Sequence, residues 1–383
     1  MKADVADGPV VIGGGLAGAA VATLLARAGR PVTLVEQYAE PRHKMCGEFL
    51  STEACESLLR MGLDVRALGA VPVSLVRMAR RSGAVGHELP FAAQSLTRRV
   101  LDEAMLQMAM ESGVRVQRGR RVEALERNGE GWSVRMSEGD SLHAEDVFLA
   151  SGKHDVRGHA RPDGPQGTLI AFKQYFRLAE AQSAELCGAI ELIMFRGGYA
   201  GLQMVEDGCA NLCLLVEAKR YKVLGGSWGA LLLAIVAESR HLSRRLEGAE
   251  ALLERPLSLS RIPYGYLRMD AAEVGLWCLG DQAAVIPSFS GDGMSIALHT
   301  ARLAAEMYLC GLGSADFAAR LAAELGTLLR RSTMLSRLMV AGAGQPLVCG
   351  AVRAFPSLLP WAAALTRIPA AARSRLAEVA AKA

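Results

Sequence analysis

Apolar runs near the N-terminus alternate with glycine and proline in a pattern that is typical of a strand–helix–strand unit. Val10–Ile12 is a short β-branched run, which predicts a strand buried in a parallel sheet. Ala17–Arg27 is rich in alanine and leucine, which favours a helix. Pro31 then precedes a second apolar run, Val32–Val35. The sequence therefore begins with a predicted βαβ unit.

The turn between the first strand and the helix has the pattern G-x-G-x-x-G. Its glycines are Gly13, Gly15 and Gly18. In such turns the first glycine makes the bend, the second lets the backbone approach a pyrophosphate, and the third lets the helix pack on the strand. The helix N-terminus, at Leu16 and Ala17, would present N–H groups to a phosphate. Glu36 ends the second strand and can accept from a ribose diol, which favours FAD or NAD over NADP.

A second strand–glycine–helix pattern lies far along the chain. Leu276–Leu279 predicts a strand, and Gly280-Asp281 follows it directly. After Pro287 comes the run Ser290-Gly291-Asp292-Gly293-Met294, and a long amphipathic helix is predicted from Ser295. The pattern is a strand, a Gly-Asp pair, a short loop with proline, a glycine pair and a helix.

Between these patterns the chain has the alternation that is typical of antiparallel strands. A hairpin is predicted around Ser82-Gly83, and further strands are predicted between residues 168 and 263. Asp207-Gly208 is a turn signal that would join strands at Tyr199–Val205 and Cys209–Val216. We expect an antiparallel sheet that walls a substrate pocket.

Composition excludes several classes of protein. The chain has 383 residues, is 51% hydrophobic and carries a net charge of +4, with no basic run that indicates nucleic-acid binding. Its 8 cysteines show no zinc-binding spacing, which favours reduced thiols and a cytoplasmic location. The N-terminus does not resemble a signal peptide. Leu338–Val352 is uncharged but short of the ~20 apolar residues that a membrane span needs.

These motifs resemble a known superfamily. Gly280-Asp281 and the glycine pair after it resemble the second FAD fingerprint of flavoprotein hydroxylases, in which the Asp binds the ribityl chain. The stretch Glu40–Leu63, with Arg42 and Cys46-Gly47, resembles the geranylgeranyl-reductase-like branch. The resemblance covers roughly residues 8–310. It implies an α/β fold with a Rossmann-type FAD-binding domain, an inserted antiparallel-sheet substrate domain and a C-terminal helical tail.

Further segments refine the resemblance. Arg98 and Asp102 have the spacing of the family's Arg-xxx-Asp helix, with Arg99 as the rival if the register is shifted by one. The stretch "GKHDVRG" and the run "SFSGDGMSIAL" resemble a subgroup of FAD-dependent oxidoreductases encoded beside type III polyketide synthases. Ser151 stands where the hydroxylases carry an Asp tied to nicotinamide handling. NAD(P)H or a separate reductase therefore remains open as the electron source.

The resemblance assigns candidate site residues. The flavin is the reactive group, and the catalytic candidates beside it are His154 and Cys46. The substrate candidates, Tyr199 and Gln203, stand where prenyl reductases carry a Tyr-x-Trp-x-Phe-Pro pattern, although Gly201 replaces the bulky Trp. The cofactor-binding candidates are Gly13, Gly15, Leu16, Ala17, Gly18, Glu36, Gln37, Arg42, Cys46, Gly47, Arg98, Val122, Ser151, Gly152, Gly280, Asp281, Pro287, Gly291, Gly293 and Met294. No metal site is expected.

The motifs divide the chain into segments. We expect a discontinuous FAD-binding domain at 1–72, 96–156 and 266–311, and a substrate domain at 73–95 and 157–265. The tail, 312–383, is rich in alanine, leucine and arginine and is expected to be helical. It would cap the pocket, form a dimer or rest on lipid.

The same fold supports several reactions. The first hypothesis is a monooxygenase that hydroxylates a hydrophobic aromatic or polyketide-derived secondary metabolite. The second is a reductase of prenyl or polyene double bonds, and a flavin oxidase or dehydrogenase is a further alternative. A tryptophan-halogenase interpretation lacks its Trp-x-Trp-x-Ile-Pro signature, and a flavin-binding protein without catalysis is a non-enzymatic alternative. The expected partner is a hydrophobic small molecule, with membrane or carrier-protein contact and a monomer or homodimer left open.

Overall fold

The structure is a computed structural model, and it describes residues 3–269, 273–369 and 372. The strands are, in chain order, β1 (Ala3–Val5), β2 (Val10–Ile12), β3 (Thr33–Glu36), β4 (Phe49–Leu50), β5 (Val71–Arg80), β6 (Gly83–Ser95), β7 (Arg115–Arg118), β8 (Val122–Asn128), β9 (Gly131–Met136), β10 (Ser141–Ala144), β11 (Val147–Leu149), β12 (Leu169–Arg177), β13 (Ala189–Phe195), β14 (Gly198–Met204), β15 (Ala210–Glu217), β16 (Glu250–Ala251), β17 (Leu257–Ser260) and β18 (Leu276–Cys278). The helices are α1 (Leu16–Arg27), α2 (Thr52–Arg60), α3 (Arg98–Glu111), α4 (Glu180–Leu186), α5 (Ala218–Val223), α6 (Trp228–Glu238), α7 (Arg240–Arg245), α8 (Gly293–Leu309), α9 (Ser314–Val340), α10 (Gly344–Ala354) and α11 (Leu358–Leu365).

A five-stranded parallel sheet contains the predicted βαβ unit. Its order is β18-β11-β2-β3-β7, so strands from distant parts of the chain lie side by side. Residues of β2 and β11 are fully buried because the sheet is covered on its faces, as continuous apolar strands require. Helix α1 packs against α3 and α8. The carboxyl ends of β2, β3 and β18 thus meet at one edge, which is where parallel sheets bind ligands.

The element boundaries differ slightly from those that the sequence predicts. Helix α1 begins at Leu16 rather than Ala17, and the second strand runs from Thr33 to Glu36 rather than from Val32 to Val35. Helix α8 begins at Gly293, two residues before Ser295, directly after a short turn over Ser288–Ser290 that Gly291 ends with a positive φ of 69°. The predicted fold class is confirmed.

The largest sheet has nine strands and is mainly antiparallel. Its order is β16-β12-β15-β14-β13-β5-β6-β4, with β17 paired to β12. The predicted hairpins are present: β5 and β6 are joined at Arg81-Ser82, and β14 and β15 at Glu206–Gly208. Strand β4 follows the first βαβ unit but pairs with β6, so the chain after β3 enters this second sheet. A four-stranded sheet, β1-β10-β9-β8, lies beside them.

The C-terminal helices pack against both larger sheets. Helix α9 contacts β18 and β14, and α11 contacts β6. Within the described residues no single helix is long and apolar enough to cross a membrane, while α9 and α10 pass that test only as a pair bent by 103°. The expected helical tail is observed as far as Leu365. Residues 370–371 and 373–383 of that tail lie outside the described residues.

The close approach of α1 to β2 depends on one glycine. A methyl group on Gly18 would lie 1.9 Å from the carbonyl oxygen of Gly13, inside the turn itself. We expect Gly18→Ala to lower the free energy of unfolding by about 3 kcal/mol or more, since neither backbone segment can move without opening the sheet edge.

The measurement is chemical denaturation followed by circular dichroism. The control is Gly229→Ala in helix α6, where the added methyl group meets no atom within 4 Å and alanine favours the helix. Equal stability of the Gly18→Ala protein and the wild type would contradict this account of the turn.

Candidate functional site

The glycine-rich turn forms one end of a cradle at the edge of the parallel sheet. Gly13 has a φ of 103°, and a methyl group on it would lie 2.5 Å from the carbonyl oxygen of Ala150. Gly15 faces two cations: a Cβ added to it would lie 3.4 Å from Arg98 Nη2 and 3.7 Å from Lys44 Nζ. Helix α1 begins there without a side-chain cap. An uncapped helix N-terminus that faces two cations is suited to a diphosphate.

Glu36 is held in place at the end of β3. It is 6% exposed, and its carboxylate accepts from the backbone N–H groups of Gly14, at 2.7 Å, and Tyr38, at 3.0 Å. These donors fix the carboxylate beside the glycine turn, with lone pairs left for a ribose diol. Arg42 lies nearby with its guanidinium 3.9 Å from the centre of the Tyr38 ring.

Arg98 and Lys44 share a buried carboxylate. Arg98 Nε lies 2.7 Å from Asp102 Oδ1, and Lys44 Nζ lies 2.7 Å from Asp102 Oδ2. Burial raises the pKa of Asp102, but the two cations outweigh it and hold that pKa below its usual range. Both cations are therefore oriented before any ligand binds. This geometry places Arg98, not its rival Arg99, against the open space at Gly15.

The second glycine pattern forms the middle of the cradle. Gly280 takes a φ of 55°, and its N–H donates to Thr300 Oγ1 at 2.9 Å. Asp281 accepts from Lys153 Nζ at 2.8 Å. Burial raises the pKa of Asp281, but the Lys153 ammonium holds it below its ordinary value, so Asp281 is ionised at neutral pH. A carboxylate at this point can accept hydrogen bonds from a polyhydroxyl chain.

The N-terminus of α8 forms the other end of the cradle. No side chain caps the helix, and a Cβ added to Gly293 would meet no atom within 4 Å. Asp292 is fully buried just before it and lies 3.2 Å from Arg367 Nη1. Burial outweighs the attraction of Arg367 and raises the pKa of Asp292. A second helix dipole is thus directed at the cradle, where it would stabilise negative charge on a reduced isoalloxazine.

These features fit FAD. Gly15 and Gly293 each leave open the space that a Cβ would fill. Each of these spaces lies at the N-terminus of a helix that has no side-chain cap. The two oriented cations lie at the first end, as a diphosphate requires, and Asp281 lies between the ends. Glu36 is adjacent to the first end through Gly14. The order of the groups is that of a dinucleotide with a ribityl chain.

The cradle opens into a cavity of about 400 Å³ between the two larger sheets and the C-terminal helices. Apart from the cradle, its lining is mostly apolar. Its sheet and loop residues include Met45, Phe49, Val76, Met78, Leu89, Phe91, Ile190, Leu192, Tyr199, Tyr264, Val285, Ile286 and Phe289. Its C-terminal residues include Leu335, Met339, Val348, Val352, Leu358, Leu359 and Trp361.

The structure brings most of the sequence-derived candidates to this cavity. The candidates that line it are Gly15, Leu16, Ala17, Cys46, Gly47, Arg98, Gly152, Tyr199, Gln203, Gly280, Asp281, Gly291, Gly293 and Met294. Gly13 and Gly18 shape the turn behind it. The candidates outside the lining are Glu36, Gln37, Arg42, Val122, Ser151, His154 and Pro287.

The two catalytic candidates differ in position. Cys46 lines the cavity, and its Sγ accepts from the N–H of Glu48 at 3.3 Å. His154 is exposed and outside the lining. Its carbonyl oxygen accepts from Ser151 Oγ at 2.6 Å and from Gln282 Nε2 at 3.1 Å, which ties its backbone rather than its imidazole to the site.

Both substrate candidates are buried in the cavity wall. Tyr199 is 2% exposed, lies 3.1 Å from Ser288 Oγ through its hydroxyl, and accepts from the N–H of Phe289. Burial raises the pKa of Tyr199 to about 12, so the phenol is neutral at physiological pH. Gln203 donates to the carbonyl oxygen of Gly47 at 2.9 Å. It therefore supports the cradle from the sheet as well as lining the cavity.

Sequence reasoning missed a buried network behind the cradle. The Glu48 carboxylate accepts from Lys173 Nζ at 2.6 Å, Tyr175 Oη at 2.8 Å, Asn211 Nδ2 at 3.0 Å and the N–H of Arg98 at 2.9 Å. The side chains of Glu48 and Lys173 are both 0% exposed. Glu48 also takes a φ of 64°, which is uncommon for a residue with a side chain. The network holds this unusual backbone next to Cys46 and Gly47.

Three strands of the antiparallel sheet, β12, β14 and β15, hydrogen-bond the backbone of Lys44–Gly47, which we call the cradle segment. Lys173 Nζ on β12 donates to the carbonyl oxygen of Lys44 at 3.1 Å. Asn211 Nδ2 on β15 donates to the carbonyl oxygen of Gly47 at 2.9 Å, as Gln203 on β14 does. Lone polar residues within apolar strands were the available signal in the sequence, since a lysine in "IAFKQYF" is unexpected in a buried strand.

Comparisons with known proteins agree with this geometry. The FAD binding domain family matches residues 8–148. The menaquinone reductase of Mycolicibacterium smegmatis is 26% identical over 326 residues, 80% of this chain and 77% of the relative. The tryptophan 2-halogenase of Chondromyces crocatus is 27% identical over 330 residues, 77% of this chain and 60% of the relative. The flavin-dependent brominase Bmp2 has the same fold, with a TM-score of 0.78, 18% identity and coverage of 99% of this chain and 100% of that one.

The cradle and the domain match together define the chain as an FAD-dependent oxidoreductase. Its cofactor is FAD, as the two glycine patterns predicted. The relatives carry out different reactions by name, so the particular reaction depends on the cavity of this chain.

Arg98 offers a direct test of the cradle. We expect Arg98→Ala to weaken FAD binding at least about tenfold, because a charge-assisted hydrogen bond to a phosphate is lost. Asp102 keeps Lys44 as its partner, so the loss is confined to the ligand side. The measurement is titration of the apoprotein with FAD by calorimetry or flavin fluorescence. Arg99→Ala is the matched control, and equal losses in the two variants would contradict the assignment.

Lys173 offers a test of the buried network. We expect Lys173→Met to lower the free energy of unfolding by about 3–5 kcal/mol, because Glu48 is left as an uncompensated buried carboxylate. Burial raises the pKa of Glu48 and Lys173 opposes that rise, so without Lys173 the folded variant favours the neutral form of the carboxyl group. The loss should therefore be smaller near about pH 5 and larger near about pH 9, where the unfolded chain ionises Glu48 freely.

Denaturation curves across that pH range provide the measurement. The double variant Glu48→Gln/Lys173→Met should recover part of the loss and remove its pH dependence. Lys219→Met is the matched control because Lys219 is exposed in α5. A pH-independent loss in the single variant would show that Glu48 is not the cause.

Proposed function

We propose that the protein is an FAD-dependent monooxygenase that hydroxylates a hydrophobic aromatic molecule. The observation that carries the proposal is the apolar cavity continuous with the flavin cradle. Bound FAD supplies two-electron redox chemistry and, when reduced, the activation of dioxygen. The protein itself would exclude water and position an electron-rich ring. The methionine, leucine, valine and phenylalanine side chains of the cavity are suited to both tasks.

The charged groups of the cavity support oxygen transfer more than acid–base catalysis. Among the described lining residues the carboxylates are Glu48 and Asp281, and each is paired with a lysine. The thiol of Cys213, which also lines the cavity, has its pKa raised to about 12 by burial. Reduction of an unactivated alkene needs a proton donor at the carbon that receives no hydride. Asp281 is ionised beside Lys153, and both oxygens of Glu48 are already occupied by donors of the buried network, so neither carboxyl group is free to serve.

Tyr199 and Tyr264 would orient the ring of the substrate. Burial raises the pKa of both hydroxyls, so they are neutral at physiological pH. A neutral phenol can donate to or accept from a ring hydroxyl without adding charge to the apolar cavity. We propose a substrate with a hydroxylated ring and a hydrocarbon tail, of the kind that polyketide assembly produces, as the likeness of two sequence stretches to enzymes encoded beside type III polyketide synthases suggests.

A second candidate is reduction of a prenyl double bond. The specific observation in its favour is the menaquinone reductase relative, which covers 80% of this chain. An apolar cavity also accepts a prenyl chain, so the two reactions must be separated by experiment. NAD(P)H or a separate reductase would supply electrons in either case.

One experiment separates the two reactions. The FAD-loaded enzyme is reduced and mixed with an alkylresorcinol under ¹⁸O₂, and in parallel with menaquinone under anaerobic conditions. The monooxygenase proposal predicts one ¹⁸O atom in the ring product with one O₂ consumed per turnover. A gain of two hydrogens in the prenyl chain of menaquinone, measured by mass spectrometry after the ring has been reoxidised to the quinone, together with no labelled resorcinol product, would replace it with the reductase.

Gly201 offers a test of the cavity itself. It lines the cavity on β14, and an added Cβ would meet its nearest atom, the carbonyl oxygen of Cys213, at 3.8 Å. We expect Gly201→Trp to reduce kcat/KM at least about tenfold, because the indole fills space that the substrate needs. The FAD content should remain that of the wild type. Gly201→Ala is the control and should keep most activity; full activity of Gly201→Trp would contradict the placement of the substrate.

A further inference from the structure

We propose that the outer surface of the C-terminal helices docks on an anionic phospholipid bilayer and places the cavity mouth at the lipid. We call this surface the α9–α11 outer face. Its residues are Arg330, Arg331, Met334, Arg337 and Leu338 on α9, Leu347 and Arg353 on α10, Phe355 after it, and Trp361 on α11. The proposal does not depend on which reaction the flavin carries out.

The first observation is the exposure of large apolar side chains. Leu347 is 74% exposed, Phe355 is 66%, Met334 is 60% and Trp361 is 58%. On α10 the exposed positions are almost entirely apolar or small, with Arg353 as the one charged residue. A helix that shows such residues to solvent on one side while its other side is buried in protein is typical of a surface that contacts lipid.

The second observation is the charge of the same segment. From Leu325 to Pro369 the chain has five arginines and no aspartate or glutamate. Arg367 is directed inward to Asp292, which leaves Arg330, Arg331, Arg337 and Arg353 on the outside. Arg330 donates to Thr327 Oγ1 and Arg337 to the carbonyl oxygen of Pro165, which are uncharged partners. Arginines without acidic neighbours, set among apolar side chains, complement a bilayer with anionic headgroups.

The third observation is the position of the cavity mouth. Among the described residues that line the cavity, the exposed ones are Gly293, Ala351 and Trp361. Gly293 belongs to the flavin cradle, whereas Ala351 and Trp361 belong to α10 and α11. The apolar part of the cavity therefore reaches the surface within the α9–α11 outer face. A lipophilic molecule could pass from the bilayer into the cavity without crossing water, which avoids the cost of hydrating its hydrocarbon tail.

The fold limits how deeply these helices can enter the bilayer. The α9–α10 pair is bent by 103°, and the buried sides of these helices are packed against β14 and against each other. The helices can therefore contribute only their outer side chains to the membrane. Tryptophan and phenylalanine at this level would lie at the headgroup boundary, with the arginines at the phosphates.

Vesicle binding of the FAD-loaded, full-length protein tests the proposal without substrate. The probes are vesicles of phosphatidylcholine and vesicles containing about one third phosphatidylglycerol. We expect the wild type to co-sediment with the anionic vesicles. Leu347→Ser/Phe355→Ser should weaken binding to them at least about tenfold, because two apolar anchors are lost. Arg330→Gln/Arg331→Gln should weaken it about fivefold for each arginine and should leave binding to neutral vesicles unchanged.

The matched control removes two exposed apolar residues elsewhere. Val223 is 79% exposed and Leu233 is 73% exposed, both far along the chain from the tail helices, on α5 and α6. Val223→Ser/Leu233→Ser should bind vesicles as the wild type does. Flavin absorbance and melting temperature confirm that every variant is folded, and neither Leu347 nor Phe355 lines the cavity.

Three results would overturn the proposal. The first is a wild type that remains in solution with anionic vesicles. The second is unchanged binding by Leu347→Ser/Phe355→Ser. The third is a dimer of the wild type, seen by light scattering, that this double variant converts to a monomer, since the face would then be covered by a second copy of the chain. Turnover assays bear only on the proposed reaction, so failure of either proposal is seen separately.

Discussion

The architecture depends on one buried contact, the ion pair between Glu48 and Lys173. Glu48 follows the cradle segment that carries Lys44, Cys46 and Gly47, and Lys173 is the central residue of β12 in the antiparallel sheet. Neither side chain is exposed, so each charge requires the other as its partner. Tyr175 and Asn211 donate the further hydrogen bonds that the carboxylate oxygens can accept. The contact connects the flavin cradle to the wall of the substrate cavity. It therefore holds the cradle segment against the sheet that lines the cavity.

The electrostatics of the site follow a single arrangement. Three carboxylates near the cradle have a cation within contact distance: Asp102 has Arg98 and Lys44, Asp281 has Lys153, and Asp292 has Arg367. Glu36 is held instead by two backbone N–H groups. The N-termini of α1 and α8, which are directed at the cradle, have no side-chain cap that would supply negative charge there. A negatively charged cofactor supplies the missing charge. The cavity beyond it is nearly neutral, which suits a hydrophobic substrate.

The C-terminal helices connect the site to the outside of the molecule. Their inner side chains, among them Met339, Val352 and Leu359, close the cavity over the large sheet. Arg367 fastens the end of this region to Asp292 and to the carbonyl oxygen of Ser290, at the N-terminus of the flavin-facing helix. The outer side chains of the same helices carry the apolar and basic residues that we propose for lipid docking. The inner side chains of one segment thus close the cavity, and its outer side chains surround the cavity mouth.

The sequence by itself determined the cofactor and the position of its cradle. Gly13, Gly15 and Gly18 after a buried strand, and Gly280-Asp281 with its glycine pair, have spacings that backbone geometry imposes, so local pattern was enough to predict them. The buried partners of Glu48 could not be predicted in this way. Lys173 lies 125 residues along the chain from Glu48, and only the pairing of β12, β15 and β14 brings it to the cradle. The same reason applies to Arg367 and Trp361, which reach the cavity through the packing of the tail. Local spacing specifies backbone turns, whereas contacts between distant strands and helices depend on how the whole chain buries its apolar surface, which only the tertiary structure decided.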